Sequence, residues 1–145
     1  MKKIQIEKSY SVSEQINCDD IKSLADDGIK TIICHRPDGE ETNQISSAEL
    51  KSAAAENGIK FIQIPVSGLN IPQHILQEFI SLIDQNDDKI HAYCRTGMRA
   101  SVFWALSQAR SLSSNDILTK AHALGINLTP IIEQLDHVNQ SSSSQ

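Results

Sequence analysis

From residue 19 to residue 111 the chain alternates short β-branched runs with longer stretches of helical character, and this order narrows its fold most. Residues 19–28 read as a helix opened by Asp19 and Asp20 and stopped by Gly28. Lys30-Thr31-Ile32-Ile33-Cys34 reads as a buried strand. A second helix over 47–57 ends at Gly58, a strand follows over 60–64, and a third helix spans 73–85 with Ile75, Leu76, Phe79, Ile80, Leu82 and Ile83. Residues 90–93 form the next strand and 99–111 the next helix. Such alternation predicts an α/β fold with a central, mostly parallel sheet of about 4–5 strands flanked by helices. Two more helices are expected, one from Ser114 to Gly125 and one opened by Thr129-Pro130, both on one face.

The chain has 145 residues, enough for one domain that buries roughly two-thirds of its unfolded surface. Residues 1–138 read as that domain, and the Ser-rich stretch 139–145 as a disordered tail. A net charge of −5 and the lack of any basic run argue against nucleic-acid binding. No apolar stretch is long enough to span a membrane, and the opening Met1-Lys2-Lys3-Ile4 lacks the apolar core of a signal peptide. Three cysteines suit a reducing compartment, so a cytoplasmic location is expected. No Cys or His spacing suits zinc, and neither a metal nor an organic cofactor is expected.

The chemistry concentrates in Cys94-Arg95-Thr96-Gly97-Met98-Arg99, between the 90–93 strand and the helix that follows. That order puts a thiol at a helix N-terminus, where unpaired amides and the helix dipole favour negative charge. Thiols in such settings ionise well below the free-cysteine value of ~8.5. Gly97 lets the backbone turn its amides inward, and Arg95, Thr96, Gly97 and Met98 are expected to cradle an anion. Arg99 supplies a planar fork suited to a phosphate-like group, and Arg95 a second positive charge. The residues alone therefore predict thiolate chemistry on an anionic substrate.

Tyr93-Cys94-Arg95-Thr96-Gly97-Met98-Arg99-Ala100-Ser101 resembles the bacterial beta-lactamase-hydrolase-like phosphatase family. So do Ser11-Val12-Ser13-Glu14-Gln15, Arg36-Pro37-Asp38-Gly39-Glu40-Glu41 and Ile64-Pro65-Val66. That family is similar in fold to the dual-specificity and tyrosine phosphatases. The resemblance implies that Cys94 is the nucleophile, that Arg99 grips phosphate and that a phosphocysteine forms. Three departures stand out. Four residues, not five, separate Cys94 from Arg99, as in rhodanese-type sulfurtransferases. The loop after the 60–64 strand lacks the Asp general acid of the dual-specificity enzymes, and Ala100 occupies the position where they carry Ser or Thr. Asp38, with Glu40 and Glu41 as further candidates, is the expected substitute acid.

Three functions follow. The first is a cysteine-dependent phosphatase acting on aryl or tyrosine phosphate-like substrates, which need little protonation of the leaving group. The second is a sulfurtransferase carrying a persulfide on Cys94, and the third an anion-binding module without catalysis. Cys34, at the end of a strand expected to neighbour Cys94, is a candidate resolving thiol. His91 is expected to be a packed histidine rather than a base.

Overall fold

The computed structural model describes residues 1–143. Its one sheet has five strands, in the order β1-β2-β5-β3-β4. These are β1 (Ile4–Glu7), β2 (Tyr10–Ser13), β3 (Ile29–Cys34), β4 (Lys60–Gln63) and β5 (Lys89–Tyr93). β2, β5, β3 and β4 run parallel, and only β1 pairs antiparallel, with β2. The helices are α1 (Cys18–Asp26), α2 (Ser47–Glu56), α3 (Gln73–Asp84), α4 (Met98–Gln108), α5 (Ser114–Ala123) and α6 (Ile132–Ser143), with a 3-10 turn at Thr129–Ile131. The mostly parallel α/β sheet expected from the alternation is the one observed.

Side-chain alternation divides the sheet into two faces. Ile32, Cys34 and Tyr93 pack with Ile21 and Leu24 of α1 and Leu50 and Ala54 of α2. Ile33, Ala92 and Val12 point the other way, into the larger core with α3, α4, α5 and α6. There α4 is enclosed on nearly every side: Ala100 through Ser107 are all buried. Central helices of this kind carry apolar residues all round rather than in a stripe. Phe103 illustrates the packing, with the His35 ring stacked on it at 3.8 Å and the Phe79 ring at 5.1 Å.

β2 has no apolar run, yet Tyr10, Ser11, Val12 and Ser13 are all buried. The partner that permits this is His91 on β5. Its Nδ1 lies 2.8 Å from Ser11 Oγ and its Nε2 2.8 Å from Ser13 Oγ. Ser13 gives its one hydroxyl proton to Glu14 O, so His91 Nε2–H donates to Ser13 and Ser11 donates to Nδ1. The ring is neutral, and burial pushes its pKa down to about 3. His91 is thus the packed histidine expected, with both nitrogens used to join β2 to β5.

The segment from 139 that reads as a disordered tail continues α6 as far as Ser143. Residues 144 and 145 lie outside the described residues. Asn139 fastens this helix: its side chain donates to Ala109 O and Leu112 O and accepts from Ser114 N–H. No helix among the described residues is long and apolar enough to cross a membrane.

Candidate active site

β5 lies at the middle of the sheet, so the residue after it emerges at the carboxyl edge between β2 and β3. That residue is Cys94, which is fully buried. The end of β2 holds the loop that follows: Ser13 O accepts from Cys94 N–H at 3.4 Å, and Gln15 N–H donates to Arg95 O at 3.2 Å. The turn closes when Gly97 N–H donates to Cys94 Sγ at 3.1 Å. Gly97 has φ +95°, and a Cβ there would lie 3.3 Å from the Ser13 carbonyl. Both the left-handed backbone and the close approach of β2 require glycine.

Gly97 is also the N-cap of α4 and supplies no side-chain cap. The first helical N–H to find a carbonyl four residues back is that of Ser101, on Gly97 O at 3.0 Å. Amides ahead of it have no such acceptor, and no acidic residue lies in this first turn. The end of the helix is electropositive and faces the thiol.

Arg99 is the second residue of α4, with its side chain 11 % exposed. Its NH1 donates to Glu40 Oε2 at 2.8 Å and to Val66 O at 2.7 Å, and its NH2 donates to Glu40 Oε1 at 2.9 Å. A guanidinium has five N–H groups. Three are used here, leaving Nε–H and the second NH2 hydrogen, which point the same way and form the fork that suits a phosphate edge. The bond to Glu40, with a further contribution from Cys94 nearby, raises the Arg99 pKa above its ordinary value. Bonding to Arg99, and more weakly to Arg36, brings the Glu40 carboxyl down to about 2.

Arg36 stands behind both. It is 4 % exposed, and its Nε donates to Glu40 Oε1 at 2.9 Å and its NH1 to Gln15 Oε1 at 2.9 Å. Its NH2 is 3.2 Å from Glu41 Oε1, which also pairs with Arg95 Nε. A cleft of about 420 Å³ is lined by Arg95, Thr96, Met98 and Arg99, by Ser67, Gly68 and Leu69, and by Glu40 and Glu41.

The site therefore brings together Cys94, Arg99 and the cradle residues Arg95, Thr96, Gly97 and Met98. It does not bring in Asp38 as expected. Both Asp38 oxygens accept from Ser47 at the start of α2, from N–H at 2.8 Å and from Oγ at 2.6 Å. Those bonds hold its carboxyl below the usual range, which suits a loop anchor and not a proton donor. Nor does Cys34 share a face of the sheet with Cys94. It pairs in register with Tyr93, the residue before Cys94, and so sits on the α1–α2 face while Cys94 sits on the other. Its thiol donates to Arg36 O at 3.3 Å, burial pushes its pKa up, and all three cysteines are free. Ser101 Oγ bonds Gly97 O, so it steadies the turn. Sequence reasoning gave no role to Ser13, Gln15, Arg36 or Val66. All four lie inside the motifs named above, and that is the only signal the sequence offers for them.

The model of the family "Beta-lactamase hydrolase-like protein, phosphatase-like domain" matches residues 4–111. Two curated beta-lactamase hydrolase-like proteins are similar. One from Xylella fastidiosa is 31% identical over 130 residues, covering 88% of this chain and 30% of the relative. One from Agrobacterium fabrum is 34% identical over 109 residues, covering 75% of this chain and 25% of the relative. The chain thus spans only about a third or less of these relatives' length. A crystal structure of a candidate phosphatase from Neisseria meningitidis is 35% identical, with a TM-score of 0.83 over 93% of this chain and 96% of that one. The kinase associated phosphatase, at 14% identity and a TM-score of 0.74 over 99% of this chain and 95% of that one, shares the fold. The sheet topology is accordingly that of a phosphatase-like fold, and this chain belongs to the phosphatase-like domain family of the beta-lactamase hydrolase-like proteins.

Proposed function

We propose that the chain is a cysteine-dependent phosphatase in which Cys94 is the nucleophile and Arg99 the phosphate grip. One observation supports this reading: Glu40 and Val66 occupy three N–H groups of Arg99, and its remaining edge is within hydrogen-bonding reach of the Cys94 thiol, where a phosphate on that sulfur would lie. The Cys94 thiolate attacks phosphorus, forming an S–P bond as the ester P–O bond breaks and the leaving oxygen departs with the electron pair. The amides of α4 and the Arg99 fork balance the charge on the equatorial oxygens. Water then attacks phosphorus, the S–P bond breaks, and inorganic phosphate and the thiolate are released.

Asp38 and Glu40 are both held ionised, so neither is a proton donor at neutral pH. General acid catalysis is worth ~10²–10⁴-fold, a loss that falls on alkyl esters far more than on aryl ones. The substrate class that fits is therefore a phosphate on an acidic hydroxyl, a phenol above all. The test is hydrolysis of p-nitrophenyl phosphate against an alkyl phosphate, with Cys94→Ser as control. Fast aryl hydrolysis, slow alkyl hydrolysis and loss of both in Cys94→Ser are expected. Thiosulfate-dependent thiocyanate formation without aryl phosphate hydrolysis would favour the sulfurtransferase. Anion binding with no turnover of either kind would favour the module.

A further inference from the structure

We propose that Arg36 is a positioning residue that presets both arginines of the Cys94–Arg99 loop. The inference rests on the reading of Arg99 as an anion grip, given above. Arg36 lies on the segment after β3, away from the loop in sequence, and is almost wholly buried. Two of its nitrogens are hydrogen-bonded, Nε to Glu40 and NH1 to Gln15, while the buried NH2 makes no hydrogen bond and faces Glu41 Oε1 as an ion pair at 3.2 Å. Each glutamate in turn holds one loop arginine, Glu40 taking Arg99 and Glu41 taking Arg95. One buried guanidinium therefore fixes two carboxylates, and through them the two cations on the wall of the cleft.

Charge makes the same point. Three arginines face two carboxylates in this cluster, so one positive charge remains for the Cys94 thiolate or, in the Cys94→Ser protein, for a bound anion. Without Arg36 the two carboxylates would neutralise Arg95 and Arg99 in full. Glu40 would also be free to rotate, and with it the free edge of Arg99. The buried position matters because charge pairs are stronger where water is excluded. The Gln15 contact adds register: the same residue holds Arg95 O through its backbone, so loop and brace share one anchor at the end of β2.

The test measures tungstate binding by calorimetry in a Cys94→Ser background, so that no turnover is needed. Arg36→Met should weaken tungstate affinity roughly tenfold or more, since one partner of a buried charge pair is removed. Arg36→Lys keeps the charge but cannot hold three acceptors in one plane, and should fall between the two. In the Cys94 protein, Arg36→Met should raise KM for p-nitrophenyl phosphate more than it lowers kcat. A merely structural role would lower kcat through loss of folded enzyme and leave KM and tungstate affinity unchanged, which overturns the proposal. Should Arg36→Met lose its far-UV circular dichroism, Arg36→Lys carries the test, and unaltered tungstate affinity in it overturns the proposal equally. Arg36-dependent tungstate binding with no ester hydrolysis in the Cys94 protein would support this inference and sink the phosphatase reading.

Discussion

The N-termini of α4 and α5 are built from opposite rules. α5 opens with Ser113, whose Oγ accepts from Asp116 N–H at 3.1 Å, and carries Asp116 in its first turn. α1 and α2 open similarly, with Asn17 and Ser46 as caps. In each, side chains on the helix itself satisfy the orphan amides and complement the dipole. α4 has a glycine cap without a side chain and no acidic residue. Side chains of the loop before it serve its positive end instead: Cys94 Sγ takes the Gly97 amide and Thr96 Oγ1 the Met98 amide, leaving the amides of Arg99 and Ala100. α3, which opens behind Pro72, likewise has no side-chain cap and no acid in its first turn, so what sets α4 apart is the thiol on its Gly97 amide and the arginine in its first turn.

The comparison breaks most completely at Arg99. Arg99→Lys removes the planar fork but keeps the charge, and kcat/KM for p-nitrophenyl phosphate should fall by ~10²–10³-fold. A loss under threefold would mean that charge alone, not the fork, serves the site.

Gly97→Ala strikes the cap itself. The left-handed backbone and the 3.3 Å approach to Ser13 act together, so unfolding free energy should drop by ~1–2 kcal/mol or more in urea titrations. Activity should fall further than stability, because the Gly97 amide moves off the thiol. Unchanged urea midpoint and rate would show that the turn relaxes freely.

Acid sharpens a second contrast, between the ion-paired loop and the neutral buried histidines. His35 and His91 both have an ordinary value of 6.5 and are pushed by burial to about 3. Below 6.5 the unfolded chain takes up protons on both, while the folded chain does not until about 3. Their contribution is therefore complete above pH 6.5 and is lost progressively as pH falls toward 3. Glu40, at about 2 against an ordinary 4.5, adds a loss of the same sign at the acid end. Urea midpoints measured between pH 7 and 4 should fall steadily, and a flat profile would contradict neutral buried histidines.

The smallest effects test the caps directly. Ser113→Ala should cost about 1 kcal/mol of stability and leave phosphatase activity intact. Met98→Asp places an acid where α4 has none and should weaken tungstate binding, while the dipole gain of ~0.3–1 kcal/mol is offset by the packing Met98 gives up against the core. A loss of anion affinity at α4, and none at α5, is the expected outcome.

Much of the architecture was legible from local pattern. Strands β3, β4 and β5 and helices α1 to α4 follow from apolar runs and glycine stops, because their burial is of apolar side chains. β1 and β2 were not read, because β2 buries serines, and only His91, eighty residues away from Ser11, makes that tolerable. The helix through residues 139–143 was obscured by its serines in the same way, with Asn139 supplying the anchors.

Sequence by itself determined that a cysteine and an arginine flank a glycine turn at a helix start, since strand propensity, a positive-φ residue and helix propensity are local properties. It could not determine which carboxylate serves the site. Asp38, Glu40 and Glu41 lie within four residues of one another, and side-chain direction in a loop depends on what packs beneath it. Ser47 at the head of α2 takes Asp38, while buried Arg36 holds Glu40 and Glu41 against the two loop arginines. Nor could it determine that Cys34 and Cys94 stand on opposite faces of the sheet, which the register of β3 against β5 decides through the alternation of side chains.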